Sequence, residues 1–281
     1  KASDFLMALQ LTGAAKTDSI ANMQLRLPVV VIGGGLTAID TGTELLAYYV
    51  VQAERTLERW ETLASEGRAD AVRASMDDEE RGILDELLAH GKAIRFERES
   101  ASREGRTPRI SKLLDDWGGV SLVYRRSLQE SPAYRLNHEE VHESLAEGVR
   151  YVENLSPVEA LLDGFGHVRG VLFKRPDGST IELPARTVCV AAGTSPNVTY
   201  EKEYEGTFQL DARKQYFQVH TARRSEGRTE LAVAKPREGF FTSYEKDGKV
   251  VSIYGDNHPH YAGSVVRAMA SGKDGYRHVA A

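Results

Sequence analysis

The chain carries the stretch Leu27-Pro28-Val29-Val30-Val31-Ile32-Gly33-Gly34-Gly35-Leu36-Thr37-Ala38-Ile39-Asp40. An unbroken run of β-branched residues predicts a buried strand, and the helical pattern that follows the three glycines predicts a helix. A buried parallel strand that turns into a helix through glycines is the local structure that holds a dinucleotide pyrophosphate. The stretch therefore predicts a nucleotide-binding turn; the alternative is a tight strand–helix turn without a ligand.

Each small residue of this turn has an expected role. Gly33 allows the tight turn, Gly35 lets the phosphates approach the backbone, and Ala38 lets the helix pack on the strand. The helix N-terminus offers free N–H groups and the positive end of a dipole to the anion. We predict that the cofactor contacts lie in six consecutive residues: Gly33, Gly34, Gly35, Leu36, Thr37 and Ala38.

The composition of the 281 residues excludes several classes of protein. A formal net charge of -5 does not favour a nucleic-acid partner, and the longest apolar run is too short to span a bilayer, so we expect a cytoplasmic protein. The single cysteine, Cys189, reads as a buried strand residue, and one cysteine cannot form a disulfide or a redox pair within the chain. Because Lys1 is not an initiator methionine, we expect a piece of a longer polypeptide.

The pattern along the chain predicts an α/β fold, a Rossmann-like NAD(P)-binding domain interrupted by a helical insertion. Its parallel strands alternate with helices, and a small antiparallel meander lies between residues 158 and 183. The predicted organisation is an N-terminal helix and linker at 1–28, the Rossmann-like domain at 29–46 and 120–193, the insertion at 47–119 and a C-terminal segment at 194–281.

The second strand ends in Tyr124-Arg125-Arg126 rather than in an acid. In a dinucleotide fold this strand end faces the adenosine ribose, where an acid binds the 2′-hydroxyl of NAD and an arginine accommodates the 2′-phosphate of NADP. A guanidinium matches a phosphate in shape and charge. Arg125 and Arg126 therefore favour NADP(H); the alternative is two solvated arginines.

Several motifs in this order resemble the pyridine nucleotide-disulfide oxidoreductase superfamily, and within it the glutamate synthase small-subunit branch. They are Val-Val-Val-Ile-Gly-Gly-Gly-Leu-Thr-Ala-Ile-Asp (29–40), Val-Tyr-Arg-Arg (123–126), Ser-Pro-Ala (131–133), Ala-Ala-Gly (191–193) and Gly-Asp (255–256) before an apolar helix. The resemblance covers roughly residues 29–46 and 120–275. It implies NADPH as one cofactor and adds Gly193 to the expected cofactor contacts.

The resemblance also implies FAD, bound across two segments that flank the NADPH domain. Asp256 and the helix start at Ser264 and Val265 match the second of these segments, so 194–281 is expected to be the C-terminal part of an FAD-binding domain. The first segment, with its own glycine motif, has no match here. We therefore expect a missing N-terminal FAD half and an iron–sulfur or other acceptor domain as partners of the full-length protein.

In this family the hydride passes from the nicotinamide directly to the flavin, so no catalytic side chain is expected and no metal ligand set is predicted. Two other functions remain open: a non-enzymatic nucleotide-binding scaffold and a flavin-independent NADP dehydrogenase.

The charged insertion is typical of a solvated surface; the alternative is a docking arm that uses Trp60 and Trp117. His258 and His260, two residues apart, could bind a metal, but without a third ligand they are expected to be surface residues of a turn.

Overall fold

A computed structural model describes residues 1–193, 195–225 and 228–280. The chain divides into two compact units, Lys1–Gly193 and Thr194–Ala281. Among the described residues, no helix combines the length and the apolar composition that crossing a membrane requires.

The first unit contains both helices and strands. Its helices are α1 (Ala2–Thr12), α2 (Leu36–Ser65), α3 (Ala69–Ser75), α4 (Asp78–Glu104), α5 (Ile110–Asp116), α6 (Pro132–Leu136) and α7 (His138–Ala146). Its strands are β1 (Val29–Ile32), β2 (Val120–Val123), β3 (Arg150–Val152), β4 (Ser156–Leu162), β5 (Val168–Lys174), β6 (Thr180–Pro184) and β7 (Thr187–Val190).

The parallel sheet has the strand order β3-β2-β1-β7. In chain order these are the third, second, first and fourth parallel strands, which matches the first four strands of the Rossmann order 3-2-1-4-5-6. β1 lies in the middle, with Val29 opposite Val120 on one side and Thr187 on the other. Its three valines are fully buried because helices or another sheet cover both faces. The predicted Rossmann-like α/β fold is confirmed.

The predicted antiparallel meander is also confirmed. β4, β5 and β6 form a three-stranded sheet, and in the chain they lie between β3 and β7, the third and fourth parallel strands. Val171 and Phe173 of β5 pack with Val30 of β1 and Val123 of β2 in one buried cluster. The meander therefore covers one face of the parallel sheet.

The helix after the glycines continues without a break into the insertion, and α2 ends at Ser65. Its buried side chains include Leu45 and Tyr49, which pack with Val29 and Val120 in the largest cluster of the unit. α4 begins with a capping box in which Asp77 accepts a hydrogen bond from the Glu80 N–H, and it packs along α2. The segment 66–119 is helical through α3, α4 and α5.

The insertion is not separate from the nucleotide fold in its packing. Leu87, Ile94 and Leu114 belong to the same buried cluster as β1 and β2. A separate small cluster forms at the end of the insertion away from the parallel sheet, where Leu57 contacts Leu84 and Leu88. We therefore expect that deleting the whole insertion would expose the main core, since its near end completes that core.

The second unit is built mostly from an antiparallel sheet. Its elements are α8 (Thr199–Glu203), β8 (His220–Ser225), β9 (Arg228–Val233), β10 (Phe241–Lys246), β11 (Lys249–Ser252) and α9 (Val265–Ala280), with the sheet order β11-β10-β8-β9. In this unit the sequence pattern predicts a strand at residues 250–254 and a helix at residues 264–272, and the structure has β11 and the longer α9 there. The first three strands were missed because their polar side chains obscure the period-two pattern on which strand prediction rests.

Candidate functional site

The candidate site of the first unit lies at the carboxyl ends of the parallel strands. β1 ends at Ile32 and β2 ends at Val123, and these two residues are paired in register. The glycine turn and the arginine pair therefore start side by side at one edge of the sheet. Ligands of open α/β sheets bind at this edge.

The three glycines have different surroundings. A Cβ on Gly33 would collide with the carbonyl oxygen of Ala191, so the close approach of β7 requires a glycine there. A Cβ on Gly34 would lie 2.5 Å from Cδ2 of Tyr124. A Cβ on Gly35 would meet no described atom within 4 Å. Only Gly35 faces open space, which leaves room for a ligand to reach the backbone.

The N-terminus of α2 follows directly. Gly35 is its N-cap residue, and no side chain of the described residues caps it. The N–H groups of the first turn of a helix have no partner within the helix, and they carry the positive end of its dipole. The half-buried Leu36 and Thr37 thus present N–H groups to an anion. Ala38 is fully buried where the helix starts, as its small side chain predicted.

Arg125 and Arg126 are both exposed at the end of β2. Arg126 forms an ion pair with Glu130, with Nη1 and Oε1 3.7 Å apart and both side chains largely exposed. No carboxylate of the described residues pairs with Arg125. Arg125 is therefore the freer of the two guanidinium groups to take a phosphate.

Two carboxyl groups near this edge have pKa values shifted in opposite directions. Hydrogen bonds from Ser127, together with the charges of Arg126 and Arg135, lower the pKa of Glu130. Partial burial, with the charges of Glu140 and Glu44, raises the pKa of Asp40. Glu130 thus stays ionised near neutral pH and continues to attract Arg126.

β7 brings two further sequence-predicted residues to the sheet. Cys189 is buried opposite Val31, and burial raises the pKa of its thiol, so it is a packing residue as predicted. Gly193 follows the end of β7 with a φ of 106° and is exposed. Gly193 belongs to the same edge of the sheet as the glycine turn because the N–H of Ala191 donates to the carbonyl of Ile32 at 2.7 Å.

The three residues expected to contact flavin lie in the second unit. Asp256 is exposed in a short 3-10 turn, and its Oδ1 accepts a hydrogen bond of 3.1 Å from the Gly263 N–H. Ser264 immediately precedes α9, and its hydroxyl accepts from the Arg267 N–H at 3.3 Å. Val265, the first residue of α9, is 75% exposed. The geometry thus joins the acid to the start of the helix through one loop.

The expectation that His258 is a surface residue is wrong. Its side chain is fully buried, its Nε2 shares a hydrogen bond of 2.9 Å with the Gly239 carbonyl, and its ring packs on Phe240. Burial lowers the pKa of this imidazole. Across the described residues, no group of three or more histidine, cysteine or acidic side chains is arranged to hold a metal ion.

Trp60 and Trp117 are both half-buried and pack within the first unit. Trp60 packs against the small cluster at the far end of the insertion. Trp117 stacks on the ring of His90, with centroids 3.7 Å apart and planes 11° from parallel. Both rings thus have packing roles within the first unit, and the docking-arm hypothesis stays a prediction.

Sequence reasoning also missed two residues that contact the glycine turn. Tyr124 places its ring against Gly34, and the Ala133 N–H donates to the Gly34 carbonyl at 3.0 Å. Tyr124 was quoted only as a neighbour of the arginines. Its contact with Gly34 depends on the pairing of β1 with β2, which no local pattern reveals.

Comparisons with known proteins find distantly similar sequences and structures. No protein-family model matches the chain. The chain is 30% identical over 296 aligned positions to "Uncharacterized protein RP006" of Rickettsia prowazekii (strain Madrid E), which covers 98% of this chain and 33% of that protein. The chain thus spans about one third of the length of this relative.

Two solved structures are similar to the chain. Thioredoxin reductase of T. acidophilum matches with a TM-score of 0.43 and 16% identity, over 89% of this chain and 51% of that one. Thioredoxin reductase of Lactococcus lactis matches with a TM-score of 0.41 and 12% identity, over 90% of this chain and 52% of that one. Both scores are low, so the fold assignment rests on the strand order and the glycine turn.

Proposed function

We propose that the first unit binds NADP(H) and is the pyridine-nucleotide domain of an FAD-dependent oxidoreductase. The observation that carries this proposal is the open space at Gly35 beside the uncapped N-terminus of α2, with Arg125 at the neighbouring strand end. The opening would admit a pyrophosphate, and an arginine at the neighbouring strand end would bind a 2′-phosphate.

The residues of this chain would each contribute a binding or positioning role. The N–H groups of Gly35, Leu36 and Thr37 would hold the pyrophosphate, and Arg125 would hold the 2′-phosphate, with Arg126 as a second cation. Gly33 brings the turn close to β7. When bound, the nicotinamide supplies a hydride, and the protein supplies its binding and orientation.

The finer part of the proposal is a role like that of the glutamate synthase small subunit. Its support is the order of the motifs, including Asp256 and the helix start at Ser264 and Val265, which would contact FAD in the full-length protein. The electron acceptor would then be a domain outside these 281 residues. The FAD contact at these residues is part of the same proposal.

Calorimetric titration of the 281-residue chain with NADPH and NADH tests the NADP(H) assignment. We expect tighter binding of NADPH, because each charge-assisted contact to the 2′-phosphate contributes about 1.5–3 kcal/mol. Arg125→Ala should remove most of this preference. Arg175→Ala, at an exposed arginine of the β5–β6 turn, is the matched control and should keep it. Equal affinities for NADPH and NADH in the unaltered chain would refute the assignment.

A further inference from the structure

The middle glycine of the turn is held from two sides. A Cβ on Gly34 would lie 2.5 Å, 2.7 Å and 2.8 Å from Cδ2, Cε2 and Cγ of Tyr124. These distances are too short for any real contact, so the ring occupies the place that a side chain at residue 34 would need. Gly34 is therefore a glycine because of Tyr124, whereas Gly35 faces open space.

Tyr124 itself is held firmly in the sheet. Its N–H donates to the Val152 carbonyl at 2.9 Å, and its carbonyl accepts from the Leu155 N–H at 3.1 Å. With both backbone groups bound to the β3 side, the main chain of Tyr124 is fixed, and the ring can leave Gly34 only by rotating about its own side-chain bonds. In this structure the ring forms a wall against which the glycine turn rests.

The other side of Gly34 contacts α6. The Ala133 N–H donates to the Gly34 carbonyl at 3.0 Å. α6 is itself capped by the buried Ser131, whose hydroxyl accepts from the Tyr134 N–H at 3.2 Å. In a planar trans peptide the N–H points opposite to the C=O, so this bond turns the Gly35 N–H away from α6.

We propose that Tyr124 is a positioning residue that, with the Ala133 N–H, sets the orientation of the Gly34–Gly35 peptide for phosphate binding. The inference rests on the proposed function of the site and deepens it. Tyr124 is also the residue directly before Arg125. The end of β2 therefore carries both the ring that positions the glycine turn and the guanidinium that would bind the 2′-phosphate. Preorganised donors bind an anion more tightly than mobile ones because less ordering is needed on binding.

A double-mutant cycle on the 281-residue chain tests this inference, with the NADPH dissociation constant and the thermal midpoint as the two measurements. Gly34→Ala should weaken NADPH binding about tenfold or more, because the new methyl group pushes the turn off the ring. In a Tyr124→Ala background the same substitution should cost less than about threefold, since the ring is gone. Tyr124→Phe keeps the ring and should bind like the unaltered chain.

Gly35→Ala is the matched control in the same turn. Its Cβ enters open space, so it should leave the thermal midpoint nearly unchanged, and it should weaken NADPH binding equally with and without the Tyr124 ring. If Gly34→Ala weakens binding equally in both backgrounds, its methyl group meets the ligand and the inference is overturned. Normal binding by Gly34→Ala would overturn it as well.

Failure of the proposed function gives a different result. If the unaltered chain binds no NADPH, the proposed function is wrong, and the thermal midpoints still measure the contact between Gly34 and Tyr124. The positioning role then fails together with the function. If Gly34→Ala lowers the thermal midpoint less in the Tyr124→Ala background than in the unaltered chain, the steric contact between residue 34 and the Tyr124 ring is still supported. If Gly34→Ala does not fold, the NADPH affinities of Tyr124→Ala and Tyr124→Phe are compared instead. Tyr124→Ala should bind more weakly than Tyr124→Phe, and equal affinities would overturn the inference.

Discussion

Gly91 of α4 lies directly against the backbone of Ala53 in α2, so closely that a Cβ on Gly91 would be 2.6 Å from the Ala53 carbonyl oxygen. The Cβ of Leu57, one turn further along α2, would be 3.0 Å away. The absence of a side chain at residue 91 therefore sets how closely the insertion packs on the long helix.

We predict that Gly91→Ala destabilises the chain by about 1–3 kcal/mol, because an added methylene in a close-packed contact forces the helices apart. Gly82→Ala is the matched control in the same helix, since its Cβ meets no described atom within 4 Å. It should stabilise by up to about 1 kcal/mol through helix propensity. Urea denaturation measures both, and a Gly91→Ala variant as stable as Gly82→Ala would show that this contact is not tight.

The stability of the chain should fall in mild acid because of His90. Burial lowers the pKa of His90 below its ordinary value of 6.5, although the charge of Glu86 opposes this shift. The neutral ring shares a hydrogen bond of 2.6 Å with the Tyr49 hydroxyl. The unfolded chain binds the proton more readily, so this contribution is fully present above pH 6.5 and is lost as the pH falls through the lowered pKa of the folded state.

Thermal midpoints at pH 7.5 and pH 5.5 check the role of His90. His90→Gln, which keeps a hydrogen-bond acceptor and does not titrate, should show a smaller loss on acidification than the unaltered chain. His142→Gln, at an exposed histidine of α7, should lose as much as the unaltered chain. An unchanged acid sensitivity in His90→Gln would assign the effect to other groups.

Glu130→Gln should tighten NADPH binding by a few-fold. The carboxylate holds Arg126 in a weak ion pair, and removing its charge frees the guanidinium for the 2′-phosphate. Affinity for NADH should change much less, since NADH lacks that phosphate. Glu143→Gln, an exposed carboxylate of α7, controls for net charge. A similar gain in Glu143→Gln would indicate a long-range charge effect instead.

We expect purified 281-residue chain to be colourless. FAD needs a glycine turn and a helix N-terminus for its own pyrophosphate, and the sequence contains one such turn, which we assign to NADP(H). Visible absorbance of the purified protein measures this directly. A yellow preparation with stoichiometric FAD would mean that Gly33–Ala38 binds flavin and that NADP(H) was assigned to the wrong motif.

The amino-acid sequence by itself determined the parallel α/β unit. The valine run, the glycines and the apolar side of α2 are local patterns, and local patterns specify a buried strand, a turn and a helix directly. The meander followed in the same way from short alternating strands and the turn at Pro176-Asp177-Gly178-Ser179. The glycine turn and the two arginines were singled out from local patterns as well, and their role in cofactor binding stays a prediction.

Only the tertiary structure decided how these parts contact one another. Leu87 belongs to an apolar pattern within a strongly charged helical segment, which does not show what it packs against, yet it completes the main core, because burial depends on the neighbouring elements. His258 read as polar, yet it is fully buried beside Phe240. The ring of Tyr124 against Gly34 joins residues 90 positions apart, and such a contact exists only once β1 and β2 are paired.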